Sequence, residues 1–161
     1  MFTIKAGHTK AFSINADVST ALAFFEDAEN FDGILPNLKR VRKNSGGNFV
    51  WTIHAQVPVI GAFEQNFVVR EDNYSDDSVE WIPAENEIEN LLRCSAALES
   101  KTKGETNVNF SLYVELRRRS AMALNMLAGI AGERAISNGM TSELVTMLDK
   151  FAENVRVHFE K

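Results

Sequence analysis

The chain has 161 residues, a net charge of −5 and a pI of about 5.2, with 45% hydrophobic and 24% charged residues. This balance is typical of one globular domain that folds without disulfides, and it excludes a disordered chain. The acidic charge argues against general nucleic-acid binding, which needs a basic surface field. We therefore predict a single domain over 1–161 with no nucleic-acid partner.

The compartment is indicated by cysteine usage and by the N-terminal residues. The sequence contains one cysteine, Cys94, so no disulfide can form within the chain. The N-terminal residues lack the basic start and continuous apolar core of a signal peptide. No apolar run approaches the roughly 20 residues that span a bilayer. We predict a cytoplasmic protein without stable membrane insertion.

The first part of the chain predicts one strand followed by two short helices. Apolar and polar residues alternate over 2–14, where Gly7 could interrupt the pairing. Asp17 has the position of a helix N-cap, and short apolar stretches over 18–25 and 28–34 predict the two helices.

Six further strands are predicted from period-two patterning and from turn residues. The strands are expected over 38–43, 48–57, 63–70, 79–82, 88–100 and 108–116. Polar or glycine-containing turns are expected over 45–48, 58–61, 73–77 and 101–104. Short connections between successive strands predict one antiparallel meander with a single buried face.

The last part of the chain changes to helical periodicity. The apolar stripe of this helix consists of Met140, Leu144, Leu148, Phe151, Val155 and Phe159. No other element is long enough to cover the sheet, so the helix must lie across it. The predicted fold is α+β, with a sheet of about seven antiparallel strands wrapped around a long C-terminal helix.

Two stretches carry a resemblance to a known superfamily. Residues 24–27 followed by 34–41 look like a short-helix pair that ends in a Leu-Pro turn into the second strand, and 127–136 looks like the start of the last helix in the G-type subunit of carbon monoxide dehydrogenase. The chain thus resembles the START-like, or helix-grip (SRPBCC), superfamily, which also includes polyketide cyclases. The resemblance implies binding of a lipid, isoprenoid, quinone or polyketide-like molecule in an internal cavity. The G-type proteins often continue into a tail linked to membrane attachment; this sequence ends at Lys161, so we expect no such recruitment.

Two amides fall in apolar register and mark the candidate site. Gln65 is in phase with Phe63 and Phe67, and Asn90 is in phase with Ile88 and Leu92, which the pattern places on the inner face. A buried amide needs a hydrogen-bond partner, because an unpaired one costs about 1–3 kcal/mol. Both could bond within the core or orient the polar end of a ligand, and both interpretations remain open.

The predicted site lies between the inner face of the sheet and the first half of the long helix. The small residues Ala55 and Ala96 leave space on that face, and Arg134 could meet a carboxylate or phosphate at the cavity mouth. A fully packed core is the alternative. The candidate ligand-binding residues are Trp51, Ile53, Gln65, Phe67, Trp81, Asn90, Leu92, Phe110, Leu112, Ile130 and Arg134.

Signatures of catalysis and metal binding are missing from the sequence. The three histidines, His8, His54 and His158, are far apart and lack metal-ligand spacing. Phosphate-loop and nucleophile motifs do not occur, and Cys94 has the pattern of an inert core thiol. The basic runs 39–43 and 117–119 are interpreted as solvated strand segments. We predict no catalytic residues, no metal and no cofactor.

Three functions agree with these observations. The preferred hypothesis is binding or transport of a small hydrophobic molecule, because no acid or histidine falls in the inward register. A cyclase or aromatase-type enzyme would need ionisable groups that meet in the interior. A protein-interaction module, such as a redox-enzyme accessory, would have a closed, dry core. Association with a second copy or a partner protein is left open.

Overall fold

A computed structural model describes residues 1–58 and 60–160 of the chain, and it confirms the predicted α+β helix-grip architecture. The strands are β1 (Phe2–Ile14), β2 (Leu38–Lys43), β3 (Phe49–Val57), β4 (Gly61–Ser75), β5 (Ser78–Pro83), β6 (Asn90–Thr102) and β7 (Glu105–Arg118). The helices are α1 (Val18–Glu26), α2 (Ala121–Leu124), α3 (Ala128–Ala131) and α4 (Glu133–Phe159), with a 3₁₀ helix over Ala28–Phe31. Residue 59 of the predicted 58–61 turn, and Lys161, lie outside the described residues.

All seven strands form one antiparallel sheet in the order β1-β7-β6-β5-β4-β3-β2. The meander from β2 to β7 is the one expected from the short loops, and β1 completes the sheet beside β7. Helix α4 packs against β1 and β3, so the sheet encloses it from both sides. The interior is therefore the space between the concave face of the sheet and α4.

Strand β1 contains no irregularity at Gly7, contrary to the expectation. The pairing with β7 runs without a shift from Phe2 opposite Arg118 to Ile14 opposite Thr106. Gly7 lies opposite Tyr113, and a Cβ at Gly7 would stand 2.8 Å from Cδ2 of that ring. The glycine thus makes room for an aromatic ring on the neighbouring strand.

Several strand boundaries differ from the prediction, the largest difference being five residues at the end of β4. Strand β4 continues to Ser75, so the turn consists of Asp76 and Asp77 alone. Strand β6 begins at Asn90, and Ile88 precedes it with 71% of its surface exposed rather than on the inner face. Alternation predicts which face a paired residue occupies, but it does not show where pairing starts.

Helix α1 begins at the predicted N-cap. The carboxylate of Asp17 accepts a hydrogen bond of 2.9 Å from the backbone N–H of Thr20. This bond favours the ionised form, and it lowers the pKa of Asp17 from its ordinary value. Phe24 and Phe25 are the buried aromatic residues of this short helix.

Helix α4 buries the stripe that the sequence predicts. Met140, Leu144, Leu148, Phe151 and Val155 are all buried. Phe159 packs against the core but stays partly exposed near the C-terminal end of the helix.

The helical segment is interrupted at Gly132, which has a φ of +85°. That conformation is accessible to glycine at little cost and separates the single turn of α3 from α4. Residues 127–136 therefore form a break between two helices rather than a continuous helix start.

The centre of the interior is an aromatic cluster around Phe31, the last residue of the 3₁₀ helix. Its ring centroid lies 5.5–6.0 Å from those of Trp51, Trp81, Phe110 and Phe151. These separations are in the range of favourable aromatic pairing. Phe31 therefore fills the centre of the interior, between the sheet and α4.

Gly139 marks the closest approach of α4 to the end of β3. A Cβ there would lie 2.8 Å from Cδ of Pro58 and 3.4 Å from Cγ1 of Val57. We expect Gly139→Ala to destabilise the protein by about 1–3 kcal/mol, because steric crowding exceeds the gain in helix propensity of about 1 kcal/mol. Urea denaturation measures the difference.

The matched control is Gly129→Ala in α3, where the nearest atom to an added Cβ is Cβ of Ala121 at 3.6 Å. That distance is an ordinary contact, so the control should be neutral or stabilising. Equal effects of the two substitutions would contradict the close approach at Gly139.

Candidate functional site

An apolar cleft lies between the sheet and the first half of α4, in the region where the sequence places the site. Its volume in this conformation is about 30 Å³. The lining residues are Asn37, Ile53, Ala55, Phe63, Gln65, Phe67, Val114, Met140, Glu143, Leu144 and Met147. Pockets for small molecules usually measure about 300–1,000 Å³, so the cleft is closed here to anything larger than a methyl-sized group or a water.

The register of β3 and β4 determines which side chains form the sheet side of the cleft. In β3 and β4, Ile53 lies opposite Gln65 and Ala55 lies opposite Phe63. Because side chains alternate between the two faces, these four share the inner face. The predictions that Ile53, Gln65 and Phe67 face the site therefore agree with the geometry.

The spacing of residues along α4 determines which side chains form the opposite side of the cleft. Met140, Leu144 and Met147 are separated by four and three residues, so they follow one another along a single face of α4. Methionine is unbranched and flexible at three torsions, which lets it adapt to neighbours of different shape. The cleft thus has a stiff wall of β-strands and a more adaptable wall on the helix.

Gln65 and Asn90 meet at one end of the cleft and are joined by Arg118. Asn90 Nδ2 donates to Gln65 Oε1 at 3.0 Å, and Arg118 Nη2 donates to Gln65 Oε1 at 3.0 Å and to Asn90 Oδ1 at 2.7 Å. We call these three residues the amide–arginine cluster. Two donors converge on Gln65 Oε1, which fixes the orientation of that amide.

The sequence predicts that Gln65 and Asn90 lie near each other, but it does not identify Arg118. The arginine belongs to the 117–119 run, for which the sequence predicts a solvated segment, and its side chain is half-buried. Its Nη1 also donates to the backbone carbonyls of Glu89 and Arg117. Three consecutive arginines at the end of a strand do not reveal which of them turns inward.

Asn37 and Glu143 form the other polar end of the cleft. Asn37 Nδ2 donates to Glu143 Oε2 at 3.1 Å, which links the loop before β2 to α4. Asn37 has a φ of +70°, a conformation that asparagine tolerates better than most residues. Glu143 is half-buried in the cleft lining, whereas the sequence pattern places no acid in the inward register. The reason is that the acid comes from the helix rather than from the strands.

Trp51 carries an unpaired polar atom in the interior. Its indole Nε1 is buried, and among the described residues it has no hydrogen-bond partner. The ring lies directly opposite Phe67 of β4, which lines the cleft. An unpaired buried donor is unfavourable by about 1–3 kcal/mol, so this N–H is a potential donor to a molecule that enters beside it.

The other candidate residues on the strands are core residues. Trp81, Leu92, Phe110 and Leu112 are almost completely buried, and they do not line the cleft. Phe31 occupies the space near the aromatic ones, so the predicted cavity does not extend to Phe110. Ala96 is also fully buried in the packed interior.

Ile130 and Arg134 do not face the cleft, contrary to the predicted position of the cavity mouth. Ile130 is 79% exposed, and Arg134 is also exposed. The break at Gly132 turns this part of the chain, so the phase of the helical stripe cannot be extended back from Met140 to Ile130.

In the described part of the chain, ionisable groups outside the cleft do not form a second chemical site. Cys94 is buried; desolvation, with a smaller contribution from Glu80, raises the pKa of its thiol, which keeps it unreactive. Within residues 1–58 and 60–160, no three His, Cys, Asp or Glu side chains are grouped to hold a metal ion. In the same ranges, no helix has the length and apolarity to cross a bilayer.

A larger depression of about 610 Å³ lies between β1 and the C-terminal half of α4. Its lining includes Lys10, Asp149, Glu153 and Arg156, and Lys10 pairs with Asp149 at 3.0 Å. The depression is open and charged, unlike the concave apolar sites typical of small ligands. The cleft remains the candidate site despite its smaller volume.

Comparison with solved structures relates the fold to known domains. The chain is similar to the di-domain aromatase/cyclase BexL of the BE-7585A biosynthetic pathway, with 16% identity, a TM-score of 0.61 and coverage of 98% of this chain and 51% of BexL. It is similar to the aromatase/cyclase ZhuI of Streptomyces sp. R1128, with 12% identity, a TM-score of 0.63 and 94% coverage of both chains. A START superfamily protein of Mycobacterium smegmatis shares 13% identity at a TM-score of 0.55, with coverage of 96% and 97%.

The chain spans about half the length of BexL and of the related di-domain protein StfQ, and nearly the whole length of the other two. No protein-family model and no curated protein sequence matches the chain. The structural similarities, at these low identities, establish that the chain has the START-like fold.

Proposed function

We propose that this START-like domain binds a small hydrophobic molecule in the cleft between the sheet and α4. The observation that carries the proposal is the composition of the cleft: apolar side chains form its walls, and a fixed amide, Gln65, stands at one end. Ligand sites generally combine apolar walls with a few oriented polar groups. Aromatase/cyclases and START proteins with the same fold support this class of function.

The amide–arginine cluster would hold the polar end of the ligand. Gln65 Oε1 already accepts from Asn90 and Arg118, so its Nε2 group is directed away from them. In the described part of the chain, Nε2 donates to no protein acceptor. A carbonyl, carboxylate or quinone oxygen near Gln65 would accept this hydrogen bond.

Binding requires the cleft to open, because about 30 Å³ does not hold a lipid chain. Rotation of Met140 and Met147 would widen it without disturbing the strands. The same restriction favours a slender ligand: an acyl or isoprenoid chain needs less widening than a fused polyketide. The buried N–H of Trp51 could then find an acceptor on a ligand that reaches beyond Phe67.

The test is a thermal-shift screen with lauric acid, a short-chain quinone and an aromatic polyketide. A ligand present at 100 times its dissociation constant should stabilise the folded protein by about 2.7 kcal/mol. Asn90→Leu and Gln65→Leu should weaken binding, since each keeps a similar volume and removes a polar group of the cluster. Isothermal titration gives the affinities.

The matched control is Gln56→Leu, the same substitution on the outer face of β3, where the side chain is exposed. It should bind like the parent. If both cluster variants also bind like the parent, the site is elsewhere. If no compound of the three classes stabilises the protein, the binding function is rejected in favour of a protein-interaction role.

A second candidate function is a cyclase-type enzyme, which is favoured by one observation, the position of Glu143 in the cleft lining. A carboxylate beside a bound substrate could act as a general base. Glu143→Gln separates the two functions: turnover of a bound polyketide substrate that is lost while binding persists would identify an enzyme.

A further inference from the structure

The guanidinium of Arg118 donates hydrogen bonds to neutral acceptors only. Its Nη1 and Nη2 groups meet the backbone carbonyls of Glu89 and Arg117 and the amide oxygens of Gln65 and Asn90. Among the described residues, no carboxylate forms an ion pair with this guanidinium, and the side chain is half-buried. A partly buried charge without a counter-charge is incompletely compensated, because neutral acceptors replace only part of its hydration. An anionic group placed beside the cluster would therefore be stabilised.

The acids nearest in sequence to the cluster have other surroundings. Glu115 lies on the opposite face of β7 and is ion-paired with Arg117. Glu85 and Glu87 line a separate depression of the sheet. Glu89 meets the buried arginine through its backbone carbonyl, and its side chain is exposed. These carboxylates therefore leave the charge of that arginine without an ion-pair partner.

Gln65 is the member of the amide–arginine cluster that lines the cleft. A guanidinium can only donate hydrogen bonds, so Nη2 of Arg118 requires the oxygen of each amide on its own side. The Nε2 group of Gln65 is thereby directed away from the arginine. A ligand oxygen that accepts from this Nε2 group would lie one amide group away from the guanidinium charge.

We propose that the cleft ligand is an aliphatic carboxylic acid in its ionised form, with its carboxylate at Gln65 and its chain along the apolar walls. The inference rests on the proposed binding function and selects one head group among those that function allows. A carboxylate would gain a charge-assisted hydrogen bond and the attraction of Arg118, whereas a quinone or alcohol oxygen would gain a neutral hydrogen bond alone. Glu143, at the opposite polar end of the cleft, would repel a carboxylate there, which fixes the orientation of the ligand.

The test is isothermal titration of the full chain with laurate and with dodecan-1-ol, which have chains of equal length and differ in the charge of the head group. Laurate should bind the parent about tenfold more tightly, which corresponds to the difference between a charge-assisted and a neutral hydrogen bond. Arg118→Gln should abolish this preference, because it removes the charge and keeps a polar side chain. The comparison on the parent needs no variant, so it decides the question even if Arg118→Gln does not fold.

The matched control is Arg119→Gln, the same loss of charge at the next residue, whose side chain is exposed. It should keep the preference for laurate. Equal affinities of the parent for the two compounds would overturn the carboxylate inference and leave the binding function standing. A preference that persists in Arg118→Gln, or that is lost in Arg119→Gln, would also overturn it. If the parent binds neither these compounds nor those of the thermal-shift screen, the binding function and this inference are rejected together.

Discussion

Phe31→Ala is expected to lower the free energy of unfolding by about 3–5 kcal/mol, the range typical of truncating a buried phenylalanine. The ring is fully buried, and it contacts Trp51, Trp81, Phe110 and Phe151. Its removal takes away apolar burial and several aromatic pairs at once. Urea denaturation followed by tryptophan fluorescence gives the loss directly.

A second measurement tests whether Phe31 is what closes the interior. Apolar cavities made by truncation can stay dry and bind small apolar molecules such as benzene. Benzene should therefore stabilise Phe31→Ala and leave the parent unchanged. The control is Phe12→Ala on β1, where the ring is half-buried and the expected cost is smaller. Equal costs at the two positions, or no benzene effect on a folded Phe31→Ala, would show that Phe31 does not fill the interior.

Leu148→Ala should destabilise the protein by about 2–5 kcal/mol, because Leu148 is completely buried in the middle of the α4 stripe. The loss in free energy of unfolding combines the lost apolar burial with the cost of the cavity that remains between the helix and the sheet. The thermal midpoint and the urea midpoint should both fall. An unchanged midpoint would mean that α4 does not pack across the sheet.

The matched control for that substitution is Leu127→Ala in the connection between α2 and α3. Leu127 is 43% exposed, so the same chemical change removes much less buried surface. Its cost should be well below that of Leu148→Ala.

The local sequence pattern was sufficient to predict the architecture. The alternation in 49–57 and the spacing of Met140, Leu144 and Leu148 each report a periodicity that belongs to one type of element. Short connections between strands then leave an antiparallel meander as the simplest sheet, and one long amphipathic helix must cover it. The inward positions of Gln65 and Asn90 follow from the same alternation.

The sequence pattern was insufficient to predict which side chains fill the interior. Phe31 lies in a 3₁₀ helix of four residues, which is too short to show a periodicity, and its ring occupies the space expected for a cavity. The sequence does not distinguish Arg118 from its two arginine neighbours. Which of the three side chains reaches Gln65 depends on where β7 ends in its pairing with β6. Glu143, the acid that lines the cleft, belongs to α4. The alternation of residues along the strands therefore could not predict it.

By itself, the sequence determined the order of elements, the buried stripe of α4 and the face of each central strand, because these depend on neighbours two to four residues apart. The tertiary structure decided how much space remains inside and which polar groups meet there, since Asn37 with Glu143 and Gln65 with Arg118 are contacts between distant parts of the chain. It also decided that Ile130 and Arg134 lie on the surface, because one positive φ at Gly132 resets the phase of the helix.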